Sequence, residues 1–209
     1  MGEAESMQQD IVTSWTADRG APRLAPLGRE EYRRRREAAG RPVPDSAQLN
    51  ISRTWAHSPG LAEAQAPLQR YLFSGSALSP RLREIAILRV GWRCRSRYEF
   101  AQHVLFARSA GLTDAEIGAL AGGDAGPGWS ELDRLVLDVV DELHAAHDLT
   151  DETWDRVAGL LPVGEVVDLL SVIGRYWTVS VVANALRLDL EQPAATALAE
   201  VVGSSEEPT

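Results

Sequence analysis

From about residue 29 onward the apolar residues recur three and four apart, and no Asn-Gly or Asp-Gly pair marks a β-hairpin. A chain patterned this way buries its apolar stripes by packing helix against helix. The expected fold is therefore all-α, a single-domain helical bundle. The spacing predicts helices over about 30–39, 46–56, 60–73, 80–92, 97–110, 113–122, 130–147, 150–160 and 164–188. Pro80 stands where a first-turn proline belongs. The pairs Ser96/Glu99 and Thr113/Glu116 have capping-box spacing. Segment 80–92 is apolar on several sides and should be the central, buried helix. The break at 122–128 (GGDAGPG) is short enough to be a connection within one domain. Residues 1–21 read as a flexible N-terminal segment, 22–190 as the helical domain and 191–209 as a C-terminal tail.

Composition excludes several classes. No run approaches the ~18 consecutive apolar residues of a membrane span, and the acidic, polar N-terminus lacks the pattern of a secretory signal. The single cysteine, Cys94, cannot form an internal disulfide or a dithiol motif. A cytoplasmic setting is expected, without a membrane partner. The net charge of −9 is uneven: residues 1–109 hold 17 Arg and 11 acids, residues 110–209 hold 4 Arg and 19 acids, and Lys is absent. So acidic a chain is not expected to bind nucleic acid. The split charge and the apolar last helix point to a homo-oligomer (dimer, trimer or hexamer).

The chemistry concentrates around Glu84, Ser96, Tyr98, Glu99 and His103. Glu99 and His103 are four apart on one helix and share a face, which continues into Phe106, Ala107 and Ala110. Glu84 has Ile87 and Leu88 one turn on. A carboxylate in apolar company is poised for proton transfer near neutral pH. The competing reading is structural: Glu99 caps its own helix, His103 is a satisfied core histidine and Glu84 pairs with an arginine. Glu99 and His103 also have metal-ligand spacing with Glu84 as a third ligand, but no fuller signature accompanies them, and no metal is assigned. His144 and His147 lie at a helix C-terminus, where the dipole favours a cationic imidazole. His57 belongs to a turn. Cys94 lies between Arg93 and Arg95, a setting that can lower a thiol pKa, but it has no resolving partner. Arg89, Arg93, Arg95 and Arg97 include candidates for clamping a substrate carboxylate.

The run REIAILRVGWRCRSRYEFAQHVLFARSAGLTDAEI resembles the carboxymuconolactone decarboxylase family, which includes alkylhydroperoxidase D-like proteins. The pieces LNISRTWAHSPGL and DELHAAHDLTDETW resemble it too, so the likeness spans roughly 22–190. It implies a helical fold with a pocket between helices and assembly into trimers or hexamers. In the peroxidase branch a Glu is followed by Cys-x-x-Cys and then a His. Those cysteine positions fall on Ser96 and Glu99 here, so dithiol peroxide reduction is excluded. The resemblance implies instead cofactor-independent acid/base chemistry on a small carboxylated or lactone-type substrate, such as decarboxylation. Under it, His103 and Glu99 are proton-transfer candidates, Glu84 the buried partner that orients them and Tyr98 a hydrogen-bond donor. Ser96, Arg89, Arg97 and Trp177 are the substrate-binding candidates. The alternatives are a noncatalytic binding or assembly protein, its pocket blocked by Trp92, Phe106 or Trp177, and a Cys94-dependent antioxidant protein.

Overall fold

The computed structural model describes residues 20–44, 48–122 and 128–203. Among them there are ten helices and no strand: α1 (Arg29–Ala38), α2 (Asn50–Trp55), α3 (Pro59–Ser74), α4 (Pro80–Arg93), α5 (Arg97–Ser109), α6 (Asp114–Gly122), α7 (Glu131–Ala146), α8 (Asp151–Leu160), α9 (Val163–Leu186) and α10 (Gln192–Gly203). The all-α expectation holds, and nine predicted helices are present with small shifts at their ends. The start of the helix predicted over 46–56 falls partly outside the described residues. So do most of segment 1–21 and the last six residues.

Helix α4 is the axis of the bundle. Pro80 opens it, and the Ser79 hydroxyl accepts from Leu82 N at 3.3 Å. Every residue from Leu82 to Trp92 is buried, because α5, α6, α7 and α9 pack around it. Burying all sides of a helix is what its continuous apolar sequence predicts. At Gly91, α5 comes so close that a Cβ would lie 3.2 Å from the Phe100 backbone nitrogen.

The tail predicted at 191–209 needs correction. Residues Gln192–Gly203 form α10, which packs on α5 and α6 and buries Ala194, Ala197, Leu198 and Val201. Those four positions follow helical spacing, but the small alanines made the apolar stripe hard to distinguish from a loop. Helix α9 is long and apolar enough to cross a membrane by length and composition, and half of its apolar window is buried inside the bundle.

Candidate active site

Serine 96 decides which way Glu99 points. The Ser96 hydroxyl accepts from Glu99 N at 3.4 Å, one half of a capping box. The other half is absent: Ser96 N donates to Gly91 O at 2.8 Å instead. The Glu99 side chain is thereby released from capping and turns along its own helix face to His103. By contrast, Thr113/Glu116 makes both halves of its box, as does Ser130/Asp133.

Glu84 and Glu99 both contact His103. Glu84 Oε2 lies 2.6 Å from His103 Nδ1, and Glu99 Oε1 lies 3.1 Å from His103 Nε2. The other Glu84 oxygen accepts from Arg83 Nε at 3.0 Å, and Arg83 Nη1 donates to Phe73 O at 3.2 Å. All three acid/base side chains are buried. Burial opposes a charge on His103, but the two carboxylates outweigh it and raise its pKa to about 9. His103 is thus an imidazolium at neutral pH, held between two acceptors. The carboxylates address opposite ring nitrogens and do not converge with the ring on one point an ion would occupy. Three aromatic rings surround the imidazole: Tyr176 edge-on at 4.9 Å, Phe106 at 5.2 Å and Phe73 at 6.2 Å. Of the three rings expected to block a pocket, Phe106 lies against His103, and Trp177 stacks instead near His144 and His147.

Several candidates lie elsewhere. Tyr98 donates to Glu191 Oε1 at 3.0 Å and accepts from Ile51 N at 3.1 Å. One residue along a helix is about 100° of rotation, so a Glu99 facing His103 sends Tyr98 away from it. Gln102, one turn beyond Tyr98, also binds Glu191. Tyr98 therefore tethers α2 and the segment after α9 to α5, and burial followed by the charge of Glu191 raises its pKa. Ser96 is a buried cap. Arg89 is committed to Asp141 through bonds of 2.8 and 2.6 Å, and Arg93 grips the same carboxylate. Neither is placed to clamp a substrate. Trp177 lines an open groove of about 560 Å³ with Leu143, His147, Leu170, Ile173 and Gly174, where His144 and His147 approach its ring at 5.9 and 5.1 Å. Burial and Arg93 lower the pKa of His144, against the dipole expectation. His57 bonds Ala25 O at 3.0 Å in its turn. Burial pushes the Cys94 thiol up to about 11, although Ser180 acts the other way, so the flanking arginines do not activate it.

Arg83 is the arginine that the structural reading expects beside Glu84. Sequence reasoning missed Phe73 and Tyr176 around the histidine. Tyr176 reaches His103 only through the packing of α9 on α5, which no local pattern encodes.

Fold and site together define an all-helical bundle protein built around a buried Glu84–His103–Glu99 cluster, with no thiol at either position of the peroxidase motif. Residues 59–142 match the model of the carboxymuconolactone decarboxylase family. Two solved structures share the alkylhydroperoxidase-like fold. One is an uncharacterized peroxidase-related protein from Silicibacter sp. TM1040, 18% identical with a TM-score of 0.66, covering 82% of this chain and 90% of its own. The other is a cysteine-to-alanine variant of the debrominase Bmp8 in complex with 2,3,4-tribromopyrrole, 16% identical with a TM-score of 0.68, covering 88% of this chain and 100% of its own. No curated protein matches the chain.

Proposed function

We propose that the chain is a cofactor-independent acid/base enzyme acting on a small carboxylated or lactone-type molecule, by decarboxylation, proton transfer or rearrangement. The observation that carries this reading is His103 bridged through both ring nitrogens, Nδ1 to Glu84 and Nε2 to Glu99. Glu84, neutralised on its far side by Arg83, fixes the ring and keeps the Nδ1 proton in place. The Nε2 proton is then the one to be exchanged, and Glu99 is its carrier. In a decarboxylation, the electrons of the broken C–C bond remain on the substrate as an enolate. Glu99, protonated by His103, delivers the proton that quenches the carbon, and solvent restores the imidazolium.

The aromatic enclosure of His103 favours a second reading, a binding protein on the same fold without turnover. One experiment separates the two. A panel of unsaturated lactone acids is screened for CO2 release by the wild-type protein, His103→Gln and Glu99→Gln, with circular dichroism to confirm folding. Acid/base catalysis predicts conversion by the wild type and a loss of at least about tenfold in each variant. Variants that retain full turnover on the substrate found would overturn the relay. Panel members that raise the melting temperature without being converted support the binding protein.

We also propose a homo-oligomer assembled through the outer face of α9. Val167, Ser171, Gly174, Thr178 and Val181 are exposed there and uncharged, at alternating four- and three-residue spacing.

A further inference from the structure

Arg175 is the one basic residue of the apolar helix α9. Its guanidinium lies over the Trp55 ring, 5.8 Å from the centroid, and its Nε is buried without a hydrogen-bond partner. Among the described residues no carboxylate forms an ion pair with it. The Trp55 indole nitrogen is likewise buried and unpaired. Both groups only donate, and a buried donor without an acceptor costs the desolvation that folding imposed on it. Such groups in a native fold call for an explanation, and an acceptor from beyond the described residues supplies one. Arg175 lies within the electrostatic reach of Glu99. Burial lowers the Arg175 pKa despite the charge of Glu99, as expected for a guanidinium short of a counter-charge.

We propose that Arg175 and Trp55 form a subsite that binds a substrate carboxylate. The guanidinium supplies a planar fork matched to two carboxylate oxygens, and the indole N–H adds a further donor. What the anchored molecule then undergoes rests on the acid/base reading of the relay. The subsite adds an anchor on α9 to the Arg97 candidate of the sequence reading, whose Nε is also buried without a partner among the described residues.

The test uses benzoate, acetate and glutarate as probes, with benzamide as the neutral isostere of benzoate and chloride at matched ionic strength. Binding is followed by melting temperature and tryptophan fluorescence in the wild type, Arg175→Met, Arg175→Lys, Trp55→Phe and His103→Gln. At least one carboxylate should stabilise the wild type, and benzamide and chloride should not. Arg175→Met should weaken that carboxylate at least about tenfold and Arg175→Lys by less. Without ligand, Arg175→Met should melt close to the wild type, because the half-buried guanidinium forms no ion pair among the described residues for the substitution to break. The proposal is overturned if no carboxylate stabilises the wild type, if benzamide or chloride matches it, or if Arg175→Met binds normally. It is also overturned if Arg175→Met melts several degrees lower without ligand, which marks a structural arginine. If Arg175→Met binds normally while His103→Gln abolishes CO2 release, the subsite falls and the relay stands; the reverse pattern removes the relay and keeps the subsite.

Discussion

Glu84 and His103, nineteen residues apart on consecutive helices, meet at 2.6 Å between Oε2 and Nδ1 with both side chains buried. Replacing Glu84 by Gln removes the charge that does most to hold His103 protonated, and leaves Arg83 without its carboxylate. Breaking one partner of a buried pair costs about 3 kcal/mol. The His103 pKa should fall well below its wild-type value of about 9, because burial then meets less opposition. Urea unfolding and an NMR titration of the imidazole measure the two effects. An unchanged His103 titration in Glu84→Gln would remove the pairing as its cause.

The same elevation sets a pH dependence of stability. A group whose folded pKa lies above its unfolded value binds protons more tightly in the native state. The stabilisation from His103 is therefore full below the unfolded histidine value of about 6.5 and is lost as the pH rises through about 9. Unfolding free energy should decline across that window in the wild type, and the decline should shrink in His103→Gln. Equal slopes in the two proteins would place the titrating group elsewhere.

The Glu99–His103 contact and the central helix were legible because both rest on local spacing. Four residues separate Glu99 from His103, and an apolar run continuous around its helix makes α4 central without tertiary information. The competing structural role for Glu99 was equally compatible with the sequence. It failed because Ser96 N finds Gly91 O across the turn, a bond set by how α4 ends. Tyr98 shows the limit from the other side. Its motif position suggested chemistry, but helix rotation points it at Glu191, whose location depends on the chain returning after α9. Arg175 offered a signal that went unused, a lone cation in a long apolar helix.

Cysteine 94 should be inert. With its thiol pushed up to about 11 by burial, only about one molecule in a few thousand carries a thiolate at pH 7.5. Iodoacetamide labelling should be at least about a hundredfold slower than for a free cysteine, and mass spectrometry after peroxide challenge should find Cys94 unmodified. Rapid sulfenic acid formation would revive a redox role.

The proposed α9 assembly face has a mutation suited to it. A Cβ at Gly174 meets nothing within 4 Å, so Gly174→Glu should leave the fold of one chain intact. A buried charge at a helix–helix contact does not survive association. Light scattering should give the wild type a multiple of 22.7 kDa and shift Gly174→Glu toward that value. A wild type already at the mass of one chain rejects the interface.

Gly91 governs the relay from a distance. A methyl group there would stand 3.2 Å from Phe100 N and 3.4 Å from Phe100 Cα, both backbone atoms that have no rotamer to escape into. Gly91→Ala must therefore push α4 and α5 apart, and overpacking of this kind costs about 1–3 kcal/mol. Those two helices carry Glu84 and His103, so the separation that accommodates the methyl group also stretches the 2.6 Å contact between them. The variant should lower the His103 pKa and the turnover although Gly91 touches neither side chain. An alanine in the open space at Gly174 should by contrast be neutral or stabilising, since glycine in a helix is about 0.5–1 kcal/mol worse than alanine. If Gly91→Ala unfolds in urea like the wild type and leaves the imidazole titration unmoved, the close approach of α4 and α5 is not what sets the relay.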